Sequence, residues 1–464
     1  MLSGNVHPFG EELARGGARD ATRNRSILFL LFPEFASLNA SFALAKTLQR
    51  EGYHIIYLGG ERFRYHVVRQ GFEYTSLSID RTYSEKCESA LNDPLWWRRH
   101  RLHITASLEL YEALWRSMRD WLNNNPIDLL LLDPVMWIDA LPFVERKISI
   151  VNLNTTLASR PNVNVPPVFS RKIPRREESF FGKGHNLCLW VATRLGSKAQ
   201  LSLWAERAKA LLFALPFGGI ISKASSAVKH HGASLSWSEY GHRLAAPEFV
   251  LCPKTIDFPG STRADKVYVG SGIDPERVDD PFDWRSINKN QRLLYCSLGT
   301  YSRHYPFSQR FFRILIDLLR SQTELQAIIQ VGDSLKPEEF ESLPPHILVV
   351  DTAPQLQILE HADLFITHGG FSSIREAVYF GVPMLVFPCW LDQAGNSARV
   401  VFHGLGIRGD IKTIDQSTLG DMLRNLQNGH FQTSISNISR SARARESCIA
   451  GVEWISDHFS LNGS

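Results

Sequence analysis

The chain has 464 residues, of which 44% are hydrophobic and 21% charged, and its 51 basic and 47 acidic side chains leave a net charge of +4. That is the balance of a soluble globular protein with two or three domains. So even a charge excludes the basic face of a nucleic-acid binder. The six cysteines, at 87, 188, 252, 296, 389 and 448, include no CxxC pair, so neither a zinc site nor a disulfide framework is expected, and no metal site is assigned.

Residues 1–25 are polar and charged and read as a poorly ordered arm. The first apolar run, Ile27–Phe32, is too short for a signal peptide core or a membrane span, and the expected compartment is the cytoplasm. From there, short apolar runs alternate with longer amphipathic segments, which is the pattern of βαβ units. Ser26–Phe32 is a predicted strand and Leu38–Glu51 a helix closed by Gly52. His54–Leu58, Leu129–Leu132 and Ile148–Leu153 continue the sheet. Residues Ser170–Gly219, with Phe180, Phe181, Leu187, Trp190, Leu201 and Trp204, read as helices with a wide apolar face. Val250 and Leu251 lie in the last strand of this half.

Pro253–Trp284 is rich in Pro, Gly and Asp and reads as a linker. A second alternating series follows, with strands at Leu293–Ser297, Gln326–Val331, Ile347–Val350, Leu364–Thr367 and Met384–Phe387. Helices are expected at Phe307–Gln322, Ser372–Phe380, Asn396–His403 and Ala442–Phe459. The expected organisation is an arm (1–25), an N-terminal domain (26–252), a linker (253–286), a C-terminal domain (287–441) and a closing helix (442–464). Two such α/β domains place a ligand in the cleft between them, at the strand C-termini.

The richest segment is Ile366–Glu376, ITHGGFSSIRE. A strand ends at Thr367, two glycines allow a tight turn, and a helix starts near Ser372. Backbone N–H groups and the positive helix end then converge on one point, a ready site for phosphate. Ser372 and Ser373 are expected to cap the helix and to donate to phosphate oxygens, as His368 can from its ring. Glu376, one turn on, suits ribose hydroxyls. After Gly381-Val382-Pro383 and the next strand come Asp392, Gln393 and Asn396, an acid and amides suited to sugar hydroxyls.

The run from His368 to Gln393 resembles the signature of the family-1 glycosyltransferases of GT-B fold, the group of UDP-sugar and macrolide transferases. The resemblance implies two Rossmann-like α/β domains facing a cleft. It implies that His368, Gly370, Ser372 and Ser373 hold a pyrophosphate, Glu376 the ribose, and Asp392 and Gln393 the transferred sugar. Gly299 and Thr300, in the Ser297–Thr300 run after the first strand of the second domain, resemble the loop under the donor phosphates. Gln355, after Ala353 and Pro354, resembles the segment that reads the base. Thr352 stands where the plant members carry a stacking Trp, which leaves UDP and dTDP both open.

The family's catalytic His would fall at Ser37, in Ala36–Ala40, and its partner acid at Asp133 before Pro134. Serine is no general base at neutral pH unaided. Three readings stay open. Asp133 acts as the base, alone or through Ser37 or a water; or the acceptor needs little base help, such as an amine, an acidic hydroxyl or a carboxylate; or activity has been lost. Ser37 as a helix N-cap and Asp133 as a strand-end cap are the structural alternatives.

The function implied is inverting, metal-independent transfer of a sugar from a nucleoside-diphosphate donor to a small, largely apolar acceptor, a natural product of secondary metabolism or a lipid, with no cofactor. A non-catalytic nucleotide-sugar-binding partner protein and a nucleotide-sugar 2-epimerase are the alternatives. Trp96, Trp97 and the cations that follow admit a peripheral membrane contact, with no transmembrane segment.

Overall fold

The computed structural model describes residues 25–77, 96–158, 160–175, 178–199, 220–300, 302–305, 307–340, 342–429, 431–443 and 446–459. The expected arm, apart from Arg25, and the expected helical residues 200–219 lie outside them.

Two parallel sheets dominate. The first has the order β3-β2-β1-β4-β5-β8-β9, from β1 (Ser26–Leu30), β2 (His54–Gly59), β3 (Glu73–Ser76), β4 (Leu129–Leu132), β5 (Ser149–Asn154), β8 (Glu248–Val250) and β9 (Lys266–Tyr268). The second runs β12-β11-β10-β13-β14-β15, from β10 (Arg292–Ser297), β11 (Leu325–Gln330), β12 (Ile347–Val350), β13 (Leu364–Thr367), β14 (Met384–Val386) and β15 (Gly406–Arg408). A hairpin of β6 (Leu235–Ser238) and β7 (Gly241–Leu244) stands apart. The central strands are continuous apolar runs because both faces are covered, as Leu129–Leu132 and Leu364–Thr367 show in being wholly buried. Strand order reverses between β1 and β4 in one sheet and between β10 and β13 in the other, and such switch points open crevices at the strand C-termini.

Two expectations are corrected. The first sheet does not end at Val250–Leu251: β9 adds a parallel edge strand from within the expected linker, pairing Glu248 with Lys266. The rest of that linker is ordered by charge. Asp274 pairs with Lys46 at 2.7 Å and Asp280 with Arg69 at 2.7 Å, and Gln70 exchanges two hydrogen bonds with the Val278 backbone. Towards the end of the chain, helix is described over Gln432–Arg443 and over Glu446–Phe459. The second returns to the first domain, where Val452 and Ile455 join Leu44, Leu48 and Val269 in its core.

Candidate active site

The turn after β13 is shaped by the His368 ring. Gly369 has φ +85°, the left-handed region that favours glycine. A Cβ on Gly370 would stand 2.5 Å from His368 Nε2, and one on Gly299, after β10, 2.5 Å from its Cε1. The two glycines thus make room for an imidazole from both sides. Tyr305 stacks on the ring at 5.9 Å. Burial lowers the His368 pKa to about 4, so the ring is neutral and offers one N–H without charge. Its Nδ1 is buried without a hydrogen-bond partner, while the Ser297 backbone partly offsets the effect of burial on the ring. Thr300 is exposed beside this turn.

The helix Phe371–Phe380 starts with Gly370 at its N-cap and no side-chain cap. The expected capping by Ser372 and Ser373 is therefore corrected. Both lie inside the first turn, where their hydroxyls turn to other partners. Ser372 Oγ donates to the Ala36 carbonyl at 3.3 Å and accepts from Arg375 Nη2 at 2.9 Å. Ser373 Oγ accepts from Gln355 Nε2 at 3.2 Å. The first-turn amides keep the polarity of an uncapped helix end.

Glu376 is buried with both oxygens engaged. Gln355 Nε2 donates to Oε2 at 2.5 Å and Arg277 Nη1 to Oε1 at 3.2 Å. Asp279 holds the Arg277 guanidinium through two bonds of 2.9 and 2.7 Å. Sequence reading missed Arg277: it lies 99 residues before Glu376, in a stretch whose only local signal was Pro, Gly and Asp.

The next helix is Gln393–Phe402, three residues earlier than expected, so Asn396 sits inside it and Asp392 at its N-cap position. Asn396 Nδ2 donates to Asp392 Oδ2 at 2.9 Å and to the Gly369 carbonyl at 3.1 Å, linking the acid to the His368 turn. Gln393, expected to hold a sugar, is bonded within the protein. Its Oε1 accepts from the Cys389 and Trp390 amides at 2.8 and 2.9 Å, and its Nε2 donates to Tyr305 Oη at 3.0 Å. Gln393 thus shapes the loop that presents Asp392. Leu391, in that loop, has φ +48°, an unfavourable value for a branched side chain held between those bonds. Trp390 is exposed.

Across the cleft, the first helix is Phe35–Arg50 with Glu34 at its N-cap. Ser37 is its third residue rather than its cap, correcting that alternative. Its Oγ lies 3.4 Å from Thr155 Oγ1, which donates to Asp133 Oδ2 at 3.4 Å. Asp133 follows β4 and its Oδ1 accepts from the Val135 amide at 3.0 Å, capping the short turn Pro134–Met136. Burial pushes the Asp133 pKa up to about 6, against the Val135 and Phe32 amides and the Thr155 hydroxyl, with the Glu34 charge adding to the rise. Burial likewise pushes Asp392 to about 6, again with Glu34 contributing. Tyr240, after β6, stands among these acids: burial raises its phenol well above the ordinary value, helped by Asp392, Glu239, Asp133 and Glu34. Tyr240 and Thr155 carried no motif and were not singled out from sequence.

The comparisons now bear on this arrangement. A profile of the family described as UDP-glucoronosyl and UDP-glucosyl transferase matches residues 320–446, which hold the His368 turn and the Asp392 loop. The chain is 27% identical over 391 residues to the NDP-glycosyltransferase YjiC of Bacillus subtilis, covering 82% of this chain and 83% of that protein. Residues 320–446 thus form a domain of the UDP-glycosyltransferase kind, and the chain is a glycosyltransferase. This glycosyltransferase is also 30% identical over 176 residues to the oleandomycin glycosyltransferase of Streptomyces antibioticus, covering 38% of this chain and 43% of that one. Its GT-B fold is that of the calicheamicin glycosyltransferase CalG4, with a TM-score of 0.62 at 18% identity over 95% of this chain and all of that one. VinC, solved in complex with dTDP, matches with a TM-score of 0.60 at 15% identity over 94% and 99% of the two chains.

Elsewhere in the glycosyltransferase, the described residues hold no group of three His, Cys, Asp or Glu that could bind a metal ion. None of their helices is long and apolar enough to cross a membrane. Trp96–Arg101 opens the helix Trp96–Asn124, but its side chains lie outside the described residues. Cys188, Cys252, Cys296 and Cys389 are free thiols.

Proposed function

We propose that this glycosyltransferase moves a sugar, with inversion, from a UDP or dTDP donor to a small, largely apolar natural product or lipid. The observation that carries the reading is the meeting of two helix N-termini across the cleft. The Phe371–Phe380 helix presents its amides and the His368 N–H to the diphosphate, and Ser37, Thr155 and Asp133 stand at the start of the opposing helix. Glu376, with Gln355 and Arg277, receives the ribose, and Asp392, steadied by Asn396, receives the sugar hydroxyls. Gly299 and Thr300 line the phosphates from the other strand.

Inversion calls for a single in-line displacement, with the acceptor oxygen entering opposite the departing diphosphate. The helix end and the neutral His368 stabilise the charge that develops on that diphosphate, so the reaction as proposed uses neither metal nor cofactor. Asp133, with its raised pKa, takes the acceptor proton. The compartment we propose is the cytoplasm. A membrane-borne acceptor is the second reading. The helix Phe180–Ala199 exposes Phe180 and Phe181 at 86% each, together with Leu187 and Val191, beside the exposed cations Lys183 and Arg175.

Incubation with a panel of UDP- and dTDP-sugars and phenolic, amine and lipid acceptors, with and without EDTA, tests the proposal. Transfer with inverted anomeric configuration and no loss in EDTA is the expected result. Donor binding without turnover on any acceptor would favour the non-catalytic alternative and overturn this one.

A further inference from the structure

Ser37 and Asp133 take the positions of the expected acid–base pair, yet a serine is too short to span the gap an imidazole would fill. Thr155 stands in it. The topology places all three in a row, because β1, β4 and β5 are neighbours in the sheet and the groups follow their C-terminal ends. All three are buried.

The hydrogen-bond polarity is fixed by counting hydrogens. Thr155 has one hydroxyl hydrogen, and it is committed to Asp133 Oδ2 at 3.4 Å. In the 3.4 Å pair with Ser37, Thr155 must therefore accept and Ser37 donate. The Ser37 oxygen is left with lone pairs only. It lies one residue from Ala36, whose carbonyl receives Ser372 from the donor helix. The other Asp133 oxygen is held by the Val135 amide, so the carboxylate cannot turn away from Thr155 without losing that bond.

We propose that Thr155 is a positioning residue that completes a hydroxyl relay from Ser37 to Asp133, carrying the proton of an alcohol or phenol acceptor. The inference rests on the transferase reading above. The acceptor oxygen forms a bond to the anomeric carbon as the bond to the diphosphate oxygen breaks, and that electron pair leaves with the nucleotide. The acceptor proton passes to Ser37 Oγ, the Ser37 proton to Thr155 Oγ1, and the Thr155 proton to Asp133 Oδ2. Asp133 ends neutral and returns its proton to water. An acceptor acidic enough to ionise on its own needs no relay.

The experiment uses the full chain, a nucleotide-sugar donor that the wild type turns over, and a series of phenols of graded acidity. Thr155→Val keeps the shape and removes the hydroxyl, and Thr155→Ser keeps the hydroxyl. Thr155→Val should lower kcat for the least acidic phenols about 100-fold, leave donor binding in calorimetry unchanged, and make the rate depend steeply on phenol acidity. Thr155→Ser should restore both rate and acidity profile. Ser37→Ala should copy Thr155→Val, and the double variant should lose no more than either single one. The relay is overturned if Thr155→Val keeps the wild-type acidity profile, if Thr155→Ser loses as much as Thr155→Val, or if the two losses multiply. A wild type that binds donor and transfers to no acceptor would instead bring down the transferase reading, and the relay with it.

Discussion

Ser372 Oγ donates to the Ala36 carbonyl across 3.3 Å, and this bond ties the donor helix of the second domain to the first helix of the first. Two positive helix ends therefore converge on one cleft. The acids Glu34, Asp133 and Asp392 gather at its rim, close enough that Glu34 adds to the raised pKa of both aspartates. The cleft thus offers separate places for an anion and for a proton.

Removing the His368 ring should weaken the donor site without unfolding it. His368→Ala deletes the neutral N–H that the proposed reaction gives to the diphosphate, and a hydrogen bond to a charged group contributes about 1.5–3 kcal/mol. Donor affinity and kcat/KM are expected to fall about 10- to 100-fold. Calorimetry with nucleotide and steady-state kinetics check it, and unchanged values would remove His368 from the site.

Gly299 tests the same ring from behind. Gly299→Ala places a methyl 2.5 Å from the imidazole and strains a residue at φ +80°. The ring must move, so donor affinity should drop about as far as in His368→Ala, with the far-ultraviolet circular dichroism unchanged. Normal donor binding would mean that the ring has no fixed role.

The pH profile should report Asp133. In the proposed reaction its ionised form is the base, and burial sets its pKa near 6, so the rate should rise as pH climbs through about 6 and then level. Asp133→Asn should remove that limb and lower kcat at least about 100-fold. Glu34→Gln, which removes a neighbouring negative charge, should shift the limb to lower pH. Asp392 also sits near 6, and persistence of the limb in Asp133→Asn but not in Asp392→Asn would reassign it.

A buried ion network braces the helix Gln393–Phe402 against the segment after β8. Asp257 Oδ1 accepts from Arg399 Nε and Nη2 at 3.0 and 2.8 Å, and its Oδ2 from Lys266 at 2.9 Å. Burial alone would raise the Asp257 pKa, but Lys266 and Arg399 overcome it and hold the carboxyl far below the carboxylate range. Arg399→Ala strands a buried charge and should cost about 3–5 kcal/mol in denaturant unfolding. Because the folded pKa lies below the unfolded one, Asp257's contribution is complete above about pH 4 and declines as pH falls below it. A wild type whose stability is flat from pH 5 to 2 would contradict this.

The His368–Gln393 run was readable because its parts are local: a strand, a glycine turn and a helix lie within a few residues, and their spacing carries the geometry. Helix starts were not. Ser37, Ser372 and Ser373 suggested caps by residue type, yet each lies inside its helix and bonds elsewhere, since tertiary partners outcompete a cap that only local chemistry recommends. Thr155 and Arg277 were invisible for another reason. Thr155 meets Ser37 across 118 residues and Asp133 across 22, and Arg277 meets Glu376 across 99; an isolated threonine or an arginine in a loop has no periodicity to betray it. The edge strand β9 was hidden likewise, being three residues long in a Pro- and Gly-rich stretch.

The helix Glu446–Phe459 sets an order on synthesis. Its Val452 and Ile455 belong to the core built on β1 and β2, more than 390 residues earlier. A ribosome releases the second domain's sheet before this helix, so that domain can close first while the earlier one waits with an uncovered apolar groove. Chains cut short before residue 446 should therefore fail in the half made first, and a holdase chaperone should find its client there.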